Sequence, residues 1–358
     1  MKRRALLLGS AAVCAVLVSA TAADAATKSV FMGVPPKAQG QFNKLAGDDD
    51  AFFPSIVTIH AGDTVKFAPV GFHDVYFPGR VDGLLDLFAT TGNNISGDKD
   101  AAGADFWFNG LPELGLNPAV FAKNLFGKTV SFGANKTIES GLAMTAKPKP
   151  FAVKFAKAGT YSYFCNVHRG MKGTVRVLAK GKHVPSAKAD AAAVAAQVKG
   201  AVTELKKISK TSITGDNVQI GASGKHGVES FVFYPATKTV AAGTTVTFSM
   251  PPGSLEVHTA STGPGDPEKE PTSYLGKIAA SLQSPAVDQA AIYPSDSPAS
   301  PALLTPTLHG NGFWSSGVLD SFANTQPAMT SQVTFKEAGT YTFYCLIHPF
   351  MKGTVTVS

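Results

Sequence analysis

The sequence contains one long segment twice, and this repeat constrains the fold more than any other feature. Residues 159–175 read GTYSYFCNVHRGMKGTV, and residues 339–355 read GTYTFYCLIHPFMKGTV. The similarity extends upstream, where residues 53–67 correspond to residues 234–248, and a histidine follows each copy, His73 in the first and His258 in the second. A long period with one cysteine in each copy is typical of duplicated domains rather than of short stacked repeats.

Apolar and polar residues alternate with a period of two in several short segments of both copies. Residues 57–60 and 64–67 flank a turn that contains Gly62, while residues 151–155 and 331–335 each precede an Ala-Gly turn and an aromatic-rich segment. Alternation of this kind predicts half-buried β-strands. Short strands separated by glycine turns indicate a Greek-key β-sandwich or barrel, so we predict an all-β fold for both copies.

The segment between the two copies has a helical pattern instead. Ser186 can cap a helix over residues 187–208, in which Val194, Val198, Val202 and Leu205 recur at helical spacing. We interpret this helix as a linker that packs against one domain. The predicted organisation is an export signal (1–25), a first domain (26–180), a helical linker (181–212) and a second domain (213–358).

The composition and the N-terminus exclude several other classes of protein. Apolar residues make up 44% of the chain and charged residues 16%, which favours packed cores over disorder. A basic start at residues 2–4, an apolar stretch at 5–18 and a small-x-small site ending at Ala25 indicate an export signal, so we expect a periplasmic or extracellular protein. No later segment is long and apolar enough to span a bilayer, and no arginine-aromatic run indicates nucleic-acid binding.

Each copy carries the motif Cys-x2-His-x2-Met on a loop after a strand, together with its upstream histidine. A thiolate, two imidazoles and a weak thioether form the ligand set of a blue-copper site, since the sulfur ligands suit Cu(I) and the imidazoles suit Cu(II). The mature chain's two cysteines could instead form a disulfide, but each lies in its own complete motif, which argues against pairing. The predicted metal ligands are His73, Cys165, His168 and Met171 in the first copy and His258, Cys345, His348 and Met351 in the second.

Both copies resemble cupredoxins, the family of plastocyanin, azurin and amicyanin. Residues 345–351, CLIHPFM, are similar to the short loop of amicyanin, and the first copy has Arg169 and Gly170 where the second has Pro349 and Phe350. The resemblance implies an eight-strand Greek-key fold, one mononuclear copper ion in each domain and outer-sphere electron transfer. We therefore interpret the chain as an exported type 1 (blue) copper protein that passes single electrons between redox protein partners.

The resemblance and the spacing lead to further expectations about the two sites. We expect copper near one end of each barrel, with a ring edge of His168 and of His348 exposed as the port for electrons, and a more apolar rim at the second site. Asp74 and Thr259 stand where cupredoxins commonly have asparagine, which puts the support of the ligand loop in doubt. Each copy also has a long insertion, residues 80–140 and 262–315, interpreted as a cover over the copper end, a docking surface or additional packing.

Two other functions stay open as alternatives. Two-domain copper oxidases and nitrite reductases use an adjacent Cys-His pair to connect two copper centres, but Asn166 and Leu346 follow the cysteines here, so we do not predict an enzyme. A copper-binding or storage protein would carry runs of methionine or histidine, whereas this chain has 7 methionines and no such runs. The remaining mature-chain histidines are interpreted as surface or packing residues: His60, His183, His226 and His309.

Overall fold

The computed structural model of the protein describes residues 25–79, 83–133, 135–145, 147–284, 286–322 and 328–358. The predicted export signal lies outside these residues, apart from Ala25. The described residues are mostly β and form two sandwiches in tandem, which confirms the predicted fold class. No helix in this described part of the chain has the length and apolarity needed to cross a membrane.

The first sandwich is built from two five-stranded sheets. The elements of the first half of the chain are, in order, β1 (Thr27–Met32), α1 (Gln39–Asn43), β2 (Gly47–Asp49), β3 (Phe52–Phe53), β4 (Ile56–His60), β5 (Thr64–Pro69), β6 (Tyr76–Phe77), β7 (Phe88–Asn94), β8 (Pro112–Leu116), α2 (Pro118–Phe121), β9 (Thr129–Ser131), β10 (Ile138–Glu139), β11 (Phe151–Lys154), β12 (Gly159–Phe164) and β13 (Lys172–Leu178). The sheets have the orders β3-β1-β5-β11-β9 and β10-β6-β12-β13-β4. Alternate residues of β4 and β13 are buried, as the period of two predicts.

A long helix, α3 (Ala187–Ile208), follows the first sandwich and has the predicted bounds. The Ser186 side chain caps it by accepting a hydrogen bond from the backbone N–H of Ala189 at 3.3 Å. The buried face of the helix, which includes Leu205, packs with Phe53 of the first sandwich and with Val228 of the second. The prediction that it packs against one domain is therefore wrong, because its apolar stripe is wide enough to be shared by both.

The second sandwich repeats the plan of the first. Its elements are β14 (Asn217–Ser223), β15 (Val228–Tyr234), β16 (Thr237–Val240), β17 (Thr245–Ser249), β18 (Val257–His258), β19 (Ser261–Thr262), α4 (Tyr274–Ser281), β20 (Ala302–Leu304), β21 (Trp314–Ser315), β22 (Leu319–Asp320), β23 (Thr330–Phe335), β24 (Gly339–Tyr344) and β25 (Lys352–Val357). The main sheets have the orders β2-β15-β14-β17-β23-β20 and β16-β25-β24-β19-β21. The first of these sheets includes β2, which comes from the first half of the chain and pairs antiparallel with β15, so a backbone ladder joins the two domains.

The two insertions pack against each other and form a third apolar core between the domains. Phe108 and Leu114 of the first insertion share this core with Ile292 and Phe313 of the second. Gln289 links the two insertions through two hydrogen bonds with Leu114. Its side-chain oxygen accepts from the backbone N–H of Leu114 at 3.0 Å, and its side-chain NH2 group donates to the carbonyl of Leu114 at 2.9 Å. Of the three interpretations of the insertions, the contacts favour additional packing, here directed at the domain interface.

His309 forms a charged contact across the same interface. Its Nδ1 lies 3.0 Å from Asp100 of the first insertion, and its Nε2 lies 3.2 Å from Asp296. Burial disfavours the charged ring, but the hydrogen bonds with Asp296 and Asp100 outweigh burial and raise the pKa of His309. His309 is thus a paired residue at the interface between the two insertions.

We expect the substitution His309→Asn to destabilise the protein more at acidic than at alkaline pH. Because folding raises the pKa of His309 above its unfolded value of about 6.5, its stabilising charge is fully present below that pH and is lost as the pH rises through the folded pKa. The expected loss is about 1.5–3 kcal/mol in the acidic range, as for hydrogen bonds to charged groups. Urea unfolding at about pH 6 and about pH 9 measures the difference between these two protonation states.

His226 offers a matched control for this experiment. Its backbone has a φ of 66°, close to the 53° of His309, and asparagine tolerates this left-handed conformation well. Since His226 is exposed, the substitution His226→Asn should change the free energy of unfolding equally at both pH values. An equal loss at both pH values for His309→Asn would contradict the predicted role of its charge.

Candidate metal centres

Two backbone hydrogen bonds close each ligand loop at the end of a β-hairpin. Cys165 follows β12 directly, Met171 precedes β13, and the backbone N–H of Cys165 donates to the carbonyl of Met171 at 3.1 Å. The N–H of Met171 donates to the carbonyl of His168 at 3.0 Å. The loop between β24 and β25 repeats both bonds at 3.1 Å and 2.8 Å. The hairpin register therefore places cysteine and methionine side by side at the base of each loop, with histidine at its turn.

The upstream histidine of each domain reaches the same point as the loop. In the first domain, the Sγ atom of Cys165 lies 4.0 Å from Nδ1 of His73 and 3.7 Å from Nδ1 of His168. A metal with bonds of about 2.0 Å to nitrogen and about 2.3 Å to sulfur, at an angle of about 120°, separates these atoms by about 3.7 Å. The first group therefore has the dimensions of a metal site.

The second group is slightly tighter than the first. The Sγ atom of Cys345 lies 3.6 Å from Nδ1 of His258 and 3.8 Å from Nδ1 of His348, and the two Nδ1 atoms lie 3.1 Å apart. In each group all three donor atoms lie within 4.8 Å of one another. Met351 and Cys345 belong to one buried core cluster, as Met171 and Cys165 do in the first domain. The structure thus brings each cysteine together with its two histidines and places the methionine in the same core, a donor set whose chemistry fits copper.

A side chain next to each upstream histidine holds the ligand loop. Asp74 accepts a hydrogen bond from the backbone N–H of Asn166 at 2.7 Å, and the Thr259 hydroxyl accepts one from the backbone N–H of Leu346 at 2.8 Å. Each bond joins the residue after the upstream histidine to the residue after the cysteine. Neither residue is the asparagine that would make this support certain from the sequence, but carboxylate and hydroxyl oxygens accept the same bond.

The first site has a buried acidic pair, Asp74 and Glu139, beside its ligand loop. The Asn166 amide donates to Asp74 at 2.7 Å and to Glu139 at 2.6 Å. Burial and the charge of Asp74 raise the pKa of Glu139 to about 10, so Glu139 is protonated at neutral pH. Burial and the same Asp74 charge raise the pKa of the Cys165 thiol. The electrostatic surroundings of the first thiolate are therefore more negative than those of the second.

The surroundings of Cys345 have the opposite effect on its thiol. Burial disfavours the thiolate, but the hydrogen bond and positive charge of His258 outweigh burial and lower the pKa of the Cys345 thiol. The His348 ring packs against Phe231, with ring centroids 5.0 Å apart, and against Phe350, with centroids 6.0 Å apart. These aromatic contacts agree with the more apolar rim expected at the second site.

Glycines make room for the outer edge of each upstream histidine. Gly33 has a φ of +98°, and a Cβ atom there would lie 2.8 Å from Nε2 of His73 and 2.5 Å from the carbonyl of Val70. Gly221 faces His258 in the same way, with 3.0 Å between its virtual Cβ and Nε2. The close approach of backbone to imidazole fixes the ring orientation in both domains.

We expect the substitution Gly33→Ala to weaken metal binding in the first domain and to destabilise the fold. The added methyl group would push His73 away from Cys165, and overpacking of this kind costs about 1–3 kcal/mol. Gly62→Ala is the matched control, because its φ of +100° imposes the same backbone strain while no atom lies within 4 Å of its virtual Cβ. Copper titration and thermal unfolding of both variants separate the effect of the steric clash from that of the backbone strain. Equal losses of copper affinity and of thermal stability in the two variants would contradict the role of Gly33.

The loop histidines of the two domains face the same buried carboxylate. Nε2 of His168 lies 3.4 Å from Oε1 of Glu256, and Nε2 of His348 lies 3.4 Å from Oε2. Burial raises the pKa of Glu256, but the positive charges of His168 and His348 outweigh burial and hold this pKa below its ordinary value. The two rings also line a cavity of about 830 Å³ between the domains, whose wall includes Phe72 and Phe231.

The expected exposure of the loop histidines is therefore only partly correct. The side chain of His168 is 8% exposed, so the prediction of a solvent-facing ring edge is wrong for the first domain. The side chain of His348 keeps 18% of its surface exposed. The docked second domain, which supplies Glu256, covers His168, and sequence reasoning missed Glu256 because it belongs to neither ligand motif.

The sequence matches one known protein family over two regions. The family described as copper-binding proteins of the plastocyanin/azurin family matches residues 42–178 and 321–358. The chain belongs to the cupredoxin family. The first matched region of this cupredoxin includes the four predicted ligands of the first domain, and the second region includes Cys345, His348 and Met351.

Solved structures of other cupredoxins are similar to parts of this cupredoxin. An oxidised plastocyanin from Dryopteris crassirhizoma is 22% identical, with 40% of this chain and 99% of that chain covered and a TM-score of 0.20. A Cu(I) amicyanin mutant is 17% identical, with coverages of 35% and 70% and a TM-score of 0.18. A reduced amicyanin mutant at pH 4 is also 17% identical, with coverages of 42% and 89% and a TM-score of 0.21. No curated protein matches the sequence.

Proposed function

We propose that this cupredoxin is an exported electron carrier with two mononuclear type 1 copper sites, one in each domain. The observation that supports the proposal most directly is the convergence of a cysteine Sγ and two histidine Nδ1 atoms within 4.8 Å in each domain. The metal ligands in this proposal are His73, Cys165, His168 and Met171 in the first domain and His258, Cys345, His348 and Met351 in the second.

The protein's own residues have separate tasks in each site. Copper supplies a one-electron couple when it is bound, and sulfur and imidazole ligands together suit both of its oxidation states. Asp74 and Thr259 hold the loop against the upstream strand through bonds of 2.7 Å and 2.8 Å. Because Cys165 and Cys345 are completely buried, the protein excludes water from the sulfur and keeps the ligands in one arrangement, so little rearrangement accompanies the gain or loss of an electron.

Metal loading and redox cycling test this function. We expect the purified chain to bind two copper ions, to show the strong visible absorption of blue copper proteins when oxidised and to lose that absorption reversibly on one-electron reduction of each site. Copper bound without the blue absorption, or without reversible reduction, would favour the storage alternative. Turnover of nitrite, or of an oxidisable substrate with oxygen, would favour the enzyme alternative.

The cellular placement belongs to the same proposal. We assign residues 1–25 to an export signal, 26–180 and 213–358 to the two domains and 181–212 to their linker. The partners are redox proteins, one donor and one acceptor, that the chain meets in the periplasm or outside the cell. Cell fractionation with N-terminal sequencing tests the placement, with Ala26 expected as the first residue of the exported form; a cytoplasmic chain that still begins at Met1 would contradict it.

A further inference from the structure

Glu256 lies between the two proposed copper sites and contacts both. It directly precedes β18, the strand that carries His258, and is 6% exposed. One carboxylate oxygen lies 3.4 Å from the ring of His168, and the other lies 3.4 Å from the ring of His348. A single side chain of the second domain therefore connects a loop ligand of each domain.

The protonation of the two rings makes both contacts favourable. In each group the Nδ1 atom faces the cysteine, at 3.7 Å for His168 and 3.8 Å for His348. When a neutral imidazole binds metal through Nδ1, its proton is on Nε2, which then donates to a neighbouring oxygen. Both Nε2–H groups can face Glu256 at once, because each lies 3.4 Å from a different carboxylate oxygen.

The two sites differ in their access to a partner protein. In the first site His73 and His168 are both buried, and Cys165 is completely covered. In the second site the side chain of His348 is 18% exposed. A protein partner on the surface can therefore approach an imidazole of the second site more closely than one of the first.

We propose that Glu256 couples the two sites, so that an electron exchanged with a partner at the second site equilibrates with the first site through His348, Glu256 and His168. This inference rests on the proposed function, since it needs two copper ions. In each transfer one electron leaves the reduced site, which becomes oxidised, and reduces the oxidised site, in either direction. No bond forms or breaks, and Glu256 keeps its charge throughout. The pathway consists of two imidazole rings, one carboxylate and two contacts of 3.4 Å.

Flash reduction of the copper-loaded protein tests the coupling. With a flavin semiquinone as the electron donor in less than stoichiometric amount, we expect the unmodified protein to show fast equilibration between its two sites. In Glu256→Gln the amide presents a donor to one of the two rings, so equilibration should slow by at least about tenfold, which corresponds to about 1.4 kcal/mol in activation free energy. Glu256→Asp, which keeps the charge but is too short to reach both rings, should slow it similarly.

Asp50→Asn is the matched control. Asp50 is a buried carboxylate 3.9 Å from the same Nε2 of His168, but among the described residues it forms no ion pair with a second histidine ring. The rate of equilibration between the sites in this variant should stay within about twofold of the rate in the unmodified protein. This change is much smaller than the roughly tenfold slowing expected for Glu256→Gln. Equal slowing in Asp50→Asn and Glu256→Gln, with loss of a third metal ion per chain, would show that Asp50, His168 and Glu256 hold a metal, and would overturn the proposed Glu256 bridge.

A second readout does not depend on electron transfer. In the diamagnetic Cu(I) protein we expect NMR signals for the Nε2–H protons of His168 and His348 that exchange slowly with water, and we expect Glu256→Gln to lose at least one of them. Unchanged copper content and visible spectrum in Glu256→Gln establish that both sites are intact. If these are intact and equilibration is as fast as in the unmodified protein, the bridge is refuted while the proposed function stands. If the unmodified chain binds no copper or is not blue, the proposed function fails first.

Discussion

Replacing Cys345 by serine should remove one copper ion per chain and about half of the visible absorption, while the first site keeps its copper. The physical reason is that the thiolate is the strongest copper ligand and the source of the blue colour in type 1 sites, and a serine hydroxyl cannot replace its sulfur. The two cysteines belong to separate core clusters, so the loss should stay local. Metal quantitation and a visible spectrum of the variant measure both effects.

The reciprocal variant is the natural control. Cys165→Ser should lose the first site's share of colour and keep that of Cys345, and the double variant should be colourless. Serine is close in size to cysteine, so neither variant should unfold the sandwich, and a thermal melt without copper checks this. Loss of both copper ions after either single substitution would contradict two independent sites and would indicate one shared metal centre.

The second large effect concerns the reduction potentials of the two sites. The carboxylate of Asp74 accepts hydrogen bonds from Asn166 beside Cys165, whereas Thr259 at the corresponding place beside Cys345 is uncharged. A buried negative charge stabilises the more positive, oxidised state of a neighbouring metal and so lowers its potential. We therefore expect two separate one-electron waves, with the lower potential at the first site.

Removing the Asp74 charge should raise the lower wave and leave the upper wave unchanged. The substitution Asp74→Asn is best made in a Glu139→Gln background, since no carboxylate then remains in the pair to take up the charge. The expected rise is at least about 59 mV, which is a tenfold change in a one-electron equilibrium. Voltammetry of the double variant against Glu139→Gln alone measures it.

The Glu139→Gln variant alone and the upper wave serve as controls. Glu139 has its pKa raised to about 10 and is protonated at neutral pH, so Glu139→Gln alone should shift the lower wave little. A shift in the potential of the upper wave would show that the substitution has changed the protein beyond the first site. A single wave in the unmodified protein, or a lower wave that Asp74→Asn leaves in place, would contradict the electrostatic difference between the sites.

Much of this protein can be predicted from local sequence patterns. The spacing from Cys165 to Met171 matches one hairpin loop, and the backbone bonds that close the loop follow from that spacing alone. The alternation in β4 and β13, and the cap at Ser186, are equally local. Such features depend on neighbours a few residues apart, and for this reason the bounds of α3 and the convergence of each cysteine with the histidine three residues later agree with the sequence interpretation.

Local sequence patterns do not predict how the two domains pack against each other. Glu256 and His168 are far apart in the chain, as are His309 and Asp100, and none of these pairs has a recurring spacing. Because local patterns do not predict these long-range contacts, the sequence suggests that α3 packs against one domain and that His168 faces solvent. In each case the partner surface comes from the other sandwich.

The amino-acid sequence by itself determined two duplicated β-domains, a helical connection and two groups of sulfur and imidazole donors, because hairpin spacing and strand alternation act over short stretches of backbone. Only the tertiary structure decided that the insertions meet in a common core, that His168 is covered and that one carboxylate contacts a histidine of each domain. The physical reason is that docking depends on the complementary shape and charge of whole surfaces, which no single segment of the chain encodes.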